Sequence, residues 1–278
     1  MTHRQRPAGL TAWIYAILVA ACVFALVPIV WAVSTSLKDI AEATAFPPTW
    51  IPRRPTLANY RAVLFSHRYV HYLVNTLLIG AGAVALSVAI AAPAAYAAAR
   101  GRFAGKDSML FVLWATIMMP GAAIIVPLYL VTVYVGLYDT YAGLVIVYSA
   151  AIVPTLVWLL RGFVQRVSPE LEQAAMVDGC GRWGAFWRVT LPLIRPGLIA
   201  GAIFGFVTVW NEFLIAFSLT LRDELRTIQV GIYFYVTDVG IEWGRMMAAV
   251  IASIVPIVVL YGLLQQRFME GMTGAIKE

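Results

Sequence analysis

The chain has 278 residues, of which 62% are hydrophobic and 12% are charged, and its formal net charge is +6. A soluble domain of this size carries about twice that charged fraction, so the composition excludes a water-soluble fold. The arginines cluster between long apolar runs. Anionic lipid headgroups and membrane topology therefore explain the positive charge better than a nucleic-acid partner does.

Six apolar runs are long enough to cross the roughly 30 Å hydrocarbon core of a bilayer. They do not alternate apolar and polar residues, as barrel strands do, so we expect each to be helical. The first run is too long for the apolar region of a signal peptide, which predicts a retained helix. The runs cover residues 12–35, 71–99, 108–134, 139–163, 191–220 and 244–266.

The sequence therefore predicts an all-α polytopic membrane protein in three parts. Residues 1–70 form an N-terminal transmembrane helix and an extracytoplasmic loop, residues 71–267 form a domain of five helices, and residues 268–278 form a cytoplasmic tail. The segment at residues 100–106 is basic, whereas residues 136–141 contain no positive charge. By the positive-inside rule, this difference predicts that both termini are cytoplasmic.

Prolines interrupt several runs, and each is explained either by packing or by a hinge beside a gated path. Pro120 and Pro127 lie together in the third run, which predicts that this helix is kinked or split. Cys22 lies in an apolar run and Cys180 in a short polar loop, so the two cysteines do not suggest a disulfide framework. The histidines His3, His67 and His71 are scattered and predict no metal site.

The segment at residues 168–192, between the fourth and fifth runs, begins like a helix. Ser168 suits the N-cap and Pro169 the first turn, and Glu170 and Glu172 suit the positive end of a helix dipole. Gly179 and Gly181 are expected to stop this helix. A second short helix is predicted from Arg182 to Val189, before Pro192 begins the fifth run. On physical grounds alone, the segment could also be an amphipathic loop lying on the membrane surface.

This segment resembles the EAA loop of ATP-binding-cassette (ABC) importer permeases. The family pattern is Glu-Ala-Ala, three residues, Gly, nine residues, then Ile-x-Leu-Pro, and the spacing fits throughout. Gln173 stands in place of the glutamate and Val189 in place of the isoleucine, although a glutamine amide can still form hydrogen bonds. The matching residues are Gln173, Ala174, Ala175, Gly179, Val189, Leu191 and Pro192.

Flanking stretches resemble the six-helix, maltose-type permeases of carbohydrate importers. These stretches are Tyr96–Lys106, Met119–Thr140, Trp210–Phe213 and Gln265–Lys277. The resemblance implies a subunit in the bacterial plasma (inner) membrane that has no catalytic residue and binds no cofactor or metal itself. It also implies four kinds of neighbour: a second permease, usually a different chain; two cytoplasmic ATPase subunits that bind ATP and magnesium; an extracytoplasmic solute-binding protein; and membrane lipid.

The same resemblance implies that residues 168–192 contain a coupling helix that docks onto an ATPase subunit. Ala174, Ala175 and Gly179 would allow close approach, and Asp178 would supply a polar contact. The transported solute is expected to be a sugar or a sugar-like molecule. Glycerol phosphate remains an alternative within the class, and an ion-coupled secondary transporter is a less favoured alternative outside it.

Five residues are candidates for the translocation path or its gate. Glu212 and Asn211 lie at membrane depth, where a carboxylate is costly unless it faces protein or water. They either line the path or form an interhelical hydrogen-bond clamp. Trp210 could stack on a sugar ring, although tryptophans in cores and at interfaces are commoner. Asn75 is expected to be a packing clamp, and Pro120 a hinge.

Overall fold

The computed structural model describes residues 8–238 and 240–273, so His3 and the tail beyond residue 273 lie outside the described residues. Helices α1 to α7 are Ala8–Ser36, Ile40–Ala43, Ala58–Leu64, His67–Arg100, Lys106–Met118, Gly121–Tyr134 and Tyr141–Arg166. Helices α8 to α14 are Pro169–Val177, Arg182–Ala185, Leu191–Leu193, Arg195–Asn211, Leu214–Leu219, Ile228–Tyr233 and Trp243–Thr273.

Two non-α helical turns and two short strands complete the described fold. A π-helix, Phe186–Thr190, connects α9 to α10, and a 3-10 turn, Asp223–Leu225, precedes α13. Strands β1 (Val236–Thr237) and β2 (Gly240–Ile241) pair antiparallel, with Val236 opposite Ile241. The chain is therefore almost entirely helical, as the sequence predicts.

Within residues 8–238 and 240–273, four single helices are long and apolar enough to cross a membrane: Trp13–Ser36, Arg68–Arg100, Tyr141–Arg166 and Trp243–Leu260. Two bent pairs also pass this test, so the spans number six if each pair is one span. The six runs of the sequence thus correspond to four straight spans and two broken ones.

The third span breaks where the sequence predicts. Helices α5 and α6 meet at an angle of 103° across Met119 and Pro120. Proline has no backbone N–H and disfavours a helical conformation in the residue before it, and Met119 is indeed extended, with φ −71° and ψ 128°. Pro127 lies inside α6 and does not interrupt it. The prediction of a split third helix is confirmed, with Pro120 at the break.

The fifth span differs from the sequence prediction, which treated residues 191–220 as one helix. The helical segments on either side of Ile194 are bent by 73°, and the chain leaves the helix again at Glu212 before α12 begins. Pro196 lies in the first turn of α11, where proline is well tolerated and a new helix readily begins. The prediction of an unbroken fifth helix was wrong.

The described fold divides into two compact units, one formed by Met1–Tyr69 and Ile232–Ile254 and the other by Val70–Gly231 and Val255–Glu278. In the first unit, the ammonium of the buried Lys38 donates to the carbonyl of Thr49 and lies 4.5 Å from the ring centroid of Trp31. Asn59 Nδ2 donates to the carbonyls of Ser36 and Lys38 at 2.9 and 2.7 Å. These bonds order the proline-rich loop that follows α1.

The core of the second unit is built around α7. Its fully buried side chains include Ile152, Leu156 and Leu160, which recur at helical spacing on one face. Helix α11 crosses this face closely, because a Cβ atom at Gly201 would lie 2.7 Å from Leu156 Cδ2. Small residues of this kind let helices approach in a membrane, where dispersion contacts replace the hydrophobic driving force.

Candidate functional site

The start and end of α8 follow the rules by which the sequence predicts them. The hydroxyl of Ser168 accepts the backbone N–H of Glu170 at 3.3 Å, and Pro169 occupies the first turn. At the other end, Gly179 has a φ of +91°, a left-handed conformation that favours glycine. The N–H of Cys180 donates to the carbonyl of Ala175 at 3.0 Å, which completes the turn.

The second helical stretch is less regular than predicted. Gly181 has an ordinary φ of −69° and precedes α9, so Gly179 alone supplies the left-handed turn. The predicted helix Arg182–Val189 is instead α9 followed by the π-helix. Val189 therefore lies in the π-helix, and Leu191 and Pro192 lie in α10. Short π-helical insertions frequently occur at functional sites.

Aromatic contacts hold α9 and the π-helix in place. Phe186 is buried, and its ring centroid lies 5.0 Å from that of Tyr96 on α4. Trp183 and Trp187 flank Phe186 with centroid distances of 5.6 and 5.2 Å, yet both are mostly exposed. Exposed tryptophans beside a buried anchor are typical of a segment at the membrane–water interface.

One side of α8 and its terminal turn is open to solvent. Gln173, Ala174, Asp178 and Gly179 are exposed, and Ala175 is half-buried. Val177 next to them is 87% exposed and adds an apolar side chain to this surface. The residues that match the EAA pattern on α8 thus form one small-residue surface that another chain can approach closely.

Glu172, which the sequence suggests only as a partner of the helix dipole, is a buried carboxylate on α8. Glu172 is 4% exposed and accepts hydrogen bonds from three donors. These are Arg100 Nε at 3.0 Å, the Tyr96 hydroxyl at 3.1 Å and the Thr190 hydroxyl at 2.9 Å. Tyr96 and Arg100 are four residues apart on α4 and therefore share a face. That spacing places both donors together but does not indicate Glu172 as their partner.

A cleft of about 750 Å³ opens beside this carboxylate, between the end of α4, residues 101–106 and the first turns of α8 and α9. Gln173 lines the cleft together with Pro169 and Met176. The cleft is strongly basic, since its charged lining residues are Arg100, Arg102, Lys106, Glu172 and Arg182.

Glu212 interrupts the fifth span and is held by protein groups. The Tyr148 hydroxyl donates to Glu212 Oε2 at 2.8 Å, and the N–H of Ile215 donates to Oε1 at 2.9 Å. This geometry favours the clamp over a free carboxylate in the path. Asn211 is exposed, and its amide donates to the carbonyl of Val207 at 2.8 Å.

Trp210 lies away from any open surface of the second unit. It is 1% exposed, its ring centroid lies 5.6 Å from that of Phe206, and its carbonyl accepts Gln229 Nε2 at 3.1 Å. A side chain buried in this way packs a core, so this arrangement does not favour stacking on a sugar ring.

Asn75 is buried and joins three segments. Its Nδ2 donates to the carbonyls of Glu224 and Arg226 at 2.7 and 3.0 Å, and its Oδ1 accepts the Tyr141 hydroxyl at 2.8 Å. The amide thereby acts as the packing clamp that the sequence suggests. Pro120 is exposed at the break of the third span.

A last polar cluster joins the loop after α6 to the loop after α12. Asp139 Oδ2 lies 2.7 Å from Arg222 Nε, and Asp139 Oδ1 accepts the backbone N–H of Leu221 at 2.9 Å. Burial by itself raises the pKa of Asp139, but the bonds from Leu221 and Arg222 outweigh it and hold the pKa below its usual value.

These spans, broken helices and the exposed helix α8 define a permease of the ABC importer class. The chain belongs to the family described as binding-protein-dependent transport system inner membrane component, which matches residues 80–273. This membership confirms the resemblance seen in the sequence. It also makes the chain a multi-pass membrane protein rather than a member of an ion-coupled transporter family.

Two relatives illustrate the match. The chain is 36% identical to the sulfoquinovosyl glycerol transport system permease protein SmoH of Agrobacterium fabrum, over 91% of this chain and 89% of that protein. It is 32% identical to the diacetylchitobiose uptake system permease protein DasC of Streptomyces coelicolor, over 90% and 91%.

A solved structure shares the fold. It is the crystal structure of a bacterial ABC transporter involved in the import of the acidic polysaccharide alginate. The TM-score is 0.80 at 22% sequence identity, and the match covers 96% of this chain and all of that one. The fold of this chain is therefore one that a solved structure already shows.

Proposed function

We propose that this chain forms half of the translocation path of an ABC importer for a sugar or sugar-like solute. A second permease, a different chain, forms the other half. The observation that carries the proposal is the exposed small-residue surface of α8, which ends at the left-handed Gly179. Small exposed side chains let the backbone of a protein partner approach this surface closely.

In this proposal α8 is the coupling helix, and two cytoplasmic ATPase subunits bind the ATP and magnesium. This chain supplies no catalytic group. ATP favours one arrangement of the ATPase subunits through differential contacts, and α8 transmits that preference to the spans. The spans then alternate between openings toward the two sides of the membrane.

The solute class rests on the relatives. SmoH and DasC carry the names of transport systems for sulfoquinovosyl glycerol and diacetylchitobiose, both of which contain sugar rings. A phosphorylated solute would require cationic side chains along the path. The names of these relatives therefore favour a sugar-like solute over glycerol phosphate.

The proposed orientation places α8 and both termini in the cytoplasm. Residues 37–57, 136–140 and 220–227 then face outward, where an extracytoplasmic solute-binding protein delivers its solute. A second alginate transporter structure, with a TM-score of 0.64, was solved in complex with a solute-bound periplasmic protein. That likeness, at 14% identity, concerns the fold of the permease.

The test uses the chain purified with its ATPase and second permease in lipid vesicles. Gly179→Asp places a charged side chain on the docking surface at a left-handed position. We expect it to abolish solute-stimulated ATP hydrolysis and to weaken co-purification of the ATPase, while insertion in the membrane is unchanged.

Gly136→Asp is the matched control, because Gly136 also has a positive φ, of +72°, with open space around its Cβ position. It lies before α7, far along the chain from α8 and on the opposite side of the membrane in the proposed orientation, and should leave co-purification of the ATPase intact. Normal stimulation by the Gly179→Asp complex would mean that α8 is a membrane-surface helix and would remove the physical support for the proposal.

A further inference from the structure

The buried side of α8 is linked to the membrane-spanning helices through one side chain. Among residues 8–238 and 240–273, Glu172 is the single α8 residue whose side chain forms hydrogen bonds or an ion pair with another element. We propose that Glu172 is a positioning residue for coupling, a latch that transmits displacement of α8 to α4 and to the start of the fifth span. This inference rests on the proposed function of α8.

The environment of Glu172 makes the link stiff. A buried carboxylate is strongly disfavoured unless it is paired and fully hydrogen-bonded. Here both oxygens accept bonds, and the donor at 3.0 Å is the guanidinium of Arg100, which gives a charge-assisted bond. Moving α8 away from α4 would expose or unpair this charge, so the two helices are expected to move together.

Arg100 also contacts the segment that immediately precedes α8. Its Nη2 donates to the carbonyl of Val167, which immediately precedes the N-cap of α8. The last turn of α4 therefore contacts both Val167, which precedes the N-cap of α8, and Glu172 in the first turn of α8. The guanidinium fixes the direction of the helix as well as its distance, because its donors have a fixed planar geometry.

The third donor extends the latch to the fifth span. Thr190 is completely buried, ends the π-helix and donates to the same Glu172 oxygen that accepts from Arg100. Helix α10 and the bend at Ile194 follow directly, and α11 begins at Arg195. A shift of α8 thus reaches α4 and α11 at once through one carboxylate, a contiguous polar network.

The exposed side of α8 offers no such link. Within the described part of the chain, the side chains of Gln173 and Asp178 form no hydrogen bond or ion pair, which leaves them available to a partner. Glu170 lies two residues before Glu172 in the first turn of α8. It is exposed and forms no ion pair within the described part of the chain. Docking and transmission therefore use different residues of the same helix, and Glu170, which the docking surface defined above does not include, provides a matched control.

The experiment compares Glu172→Gln with Glu170→Gln in the complete transporter reconstituted in lipid vesicles. Each variant removes one carboxylate charge from the first turn of α8. We expect Glu172→Gln to retain the ATPase subunits, the basal hydrolysis rate and the KM for ATP. Its solute-stimulated kcat should fall about tenfold, the scale set by losing one charge-assisted hydrogen bond. Glu170→Gln should stay within about twofold of wild type, as surface substitutions usually do.

Thr190→Val provides a second test that leaves the pair of Glu172 and Arg100 in place. It should lower the stimulated kcat without changing basal hydrolysis, and Thr190→Ser, which restores the hydroxyl, should recover it. If Glu172→Gln does not assemble, this valine–serine comparison decides the question.

The outcomes separate this inference from the proposed function. Equal stimulation in Glu172→Gln and Glu170→Gln, with a normally stimulated wild type, would overturn the latch and leave the importer intact. A wild-type complex whose hydrolysis does not respond to any solute would overturn the proposed function itself.

Discussion

The hydroxyl of Tyr148 on α7 donates a hydrogen bond of 2.8 Å to Glu212, the residue at which the fifth span leaves its helix. The same carboxylate accepts the backbone N–H groups of Ile215 and Ala216 in the first turn of α12. It thereby satisfies donors that a helix start leaves unpaired, and a neighbouring helix holds it in place. The break in the span is consequently built into the packing of α7.

Tyr148→Phe tests this relationship. The substitution keeps the ring and removes one donor from a carboxylate in a membrane-embedded core, so we expect a loss of about 1–3 kcal/mol of stability. Thermal unfolding of the detergent-purified chain measures the effect. Tyr134→Phe is the control, since Tyr134 is 91% exposed and its hydroxyl has no described partner. Equal midpoints for the two variants would show that the bond does not hold the break.

Gly197 on α11 is a second position at which the packing leaves little freedom. A Cβ atom there would lie 2.5 Å from Cγ of Phe163 on α7. Gly197→Ala should therefore force the two helices apart and cost about 1–3 kcal/mol, as overpacking does. Gly162→Ala on α7 is the control, because open space surrounds its Cβ position. It should be neutral or slightly stabilising, since alanine favours a helix over glycine by about 1 kcal/mol. Unfolding midpoints that rank the variants in the opposite order would contradict the close approach.

Local rules explain why much of α8 could be predicted from the sequence. The cap at Ser168, the first-turn Pro169 and the left-handed Gly179 each depend on a few adjacent residues. The break at Pro120 was predictable for a similar reason, because proline disfavours a helical conformation in the residue before it, although Pro127 is accommodated inside α6.

The missed features depend on distant partners. Glu172 takes its donors Tyr96 and Arg100 from 76 and 72 residues earlier in the chain, and no local pattern announces such a pairing. The break at Glu212 was missed because an apolar run on either side resembles one helix. Only Tyr148, 64 residues away, together with the backbone of α12, makes an interrupted helix favourable there.

The link between Asp139 and Arg222 predicts a pH dependence. The folded pKa of Asp139 is lowered relative to the unfolded chain. The contribution of Asp139 to stability is therefore fully present above the pKa that the carboxyl has in the unfolded chain, about 3.9. This contribution is lost as the pH falls through the lower pKa of the folded chain. Asp139→Asn should destabilise the chain at pH 7, and this difference should shrink at pH values below about 4.

Asparagine is a fair replacement here, because Asp139 has a φ of +57° and asparagine tolerates that left-handed conformation. Unfolding of wild type and Asp139→Asn is measured in detergent between neutral and acidic pH. A difference that stays constant across this range would mean that the carboxylate charge does not stabilise the joint between the two loops.

Asn75→Asp tests the clamp that joins α4 to the segment before α13. The amide Nδ2 donates to two carbonyls, of Glu224 and Arg226, and a carboxylate has no donor to offer them. Buried acceptors would then face a negative charge, and we expect a loss of about 3 kcal/mol or more. Thr76→Ser on the next position is the control, because it keeps the hydroxyl that accepts the N–H of Ile228 at 2.8 Å.

Since Asn75 also accepts the Tyr141 hydroxyl, Tyr141→Phe should relieve none of the penalty in the double variant. An unfolding midpoint of Asn75→Asp equal to that of Thr76→Ser would instead mean that donation to the two carbonyls does not stabilise the clamp.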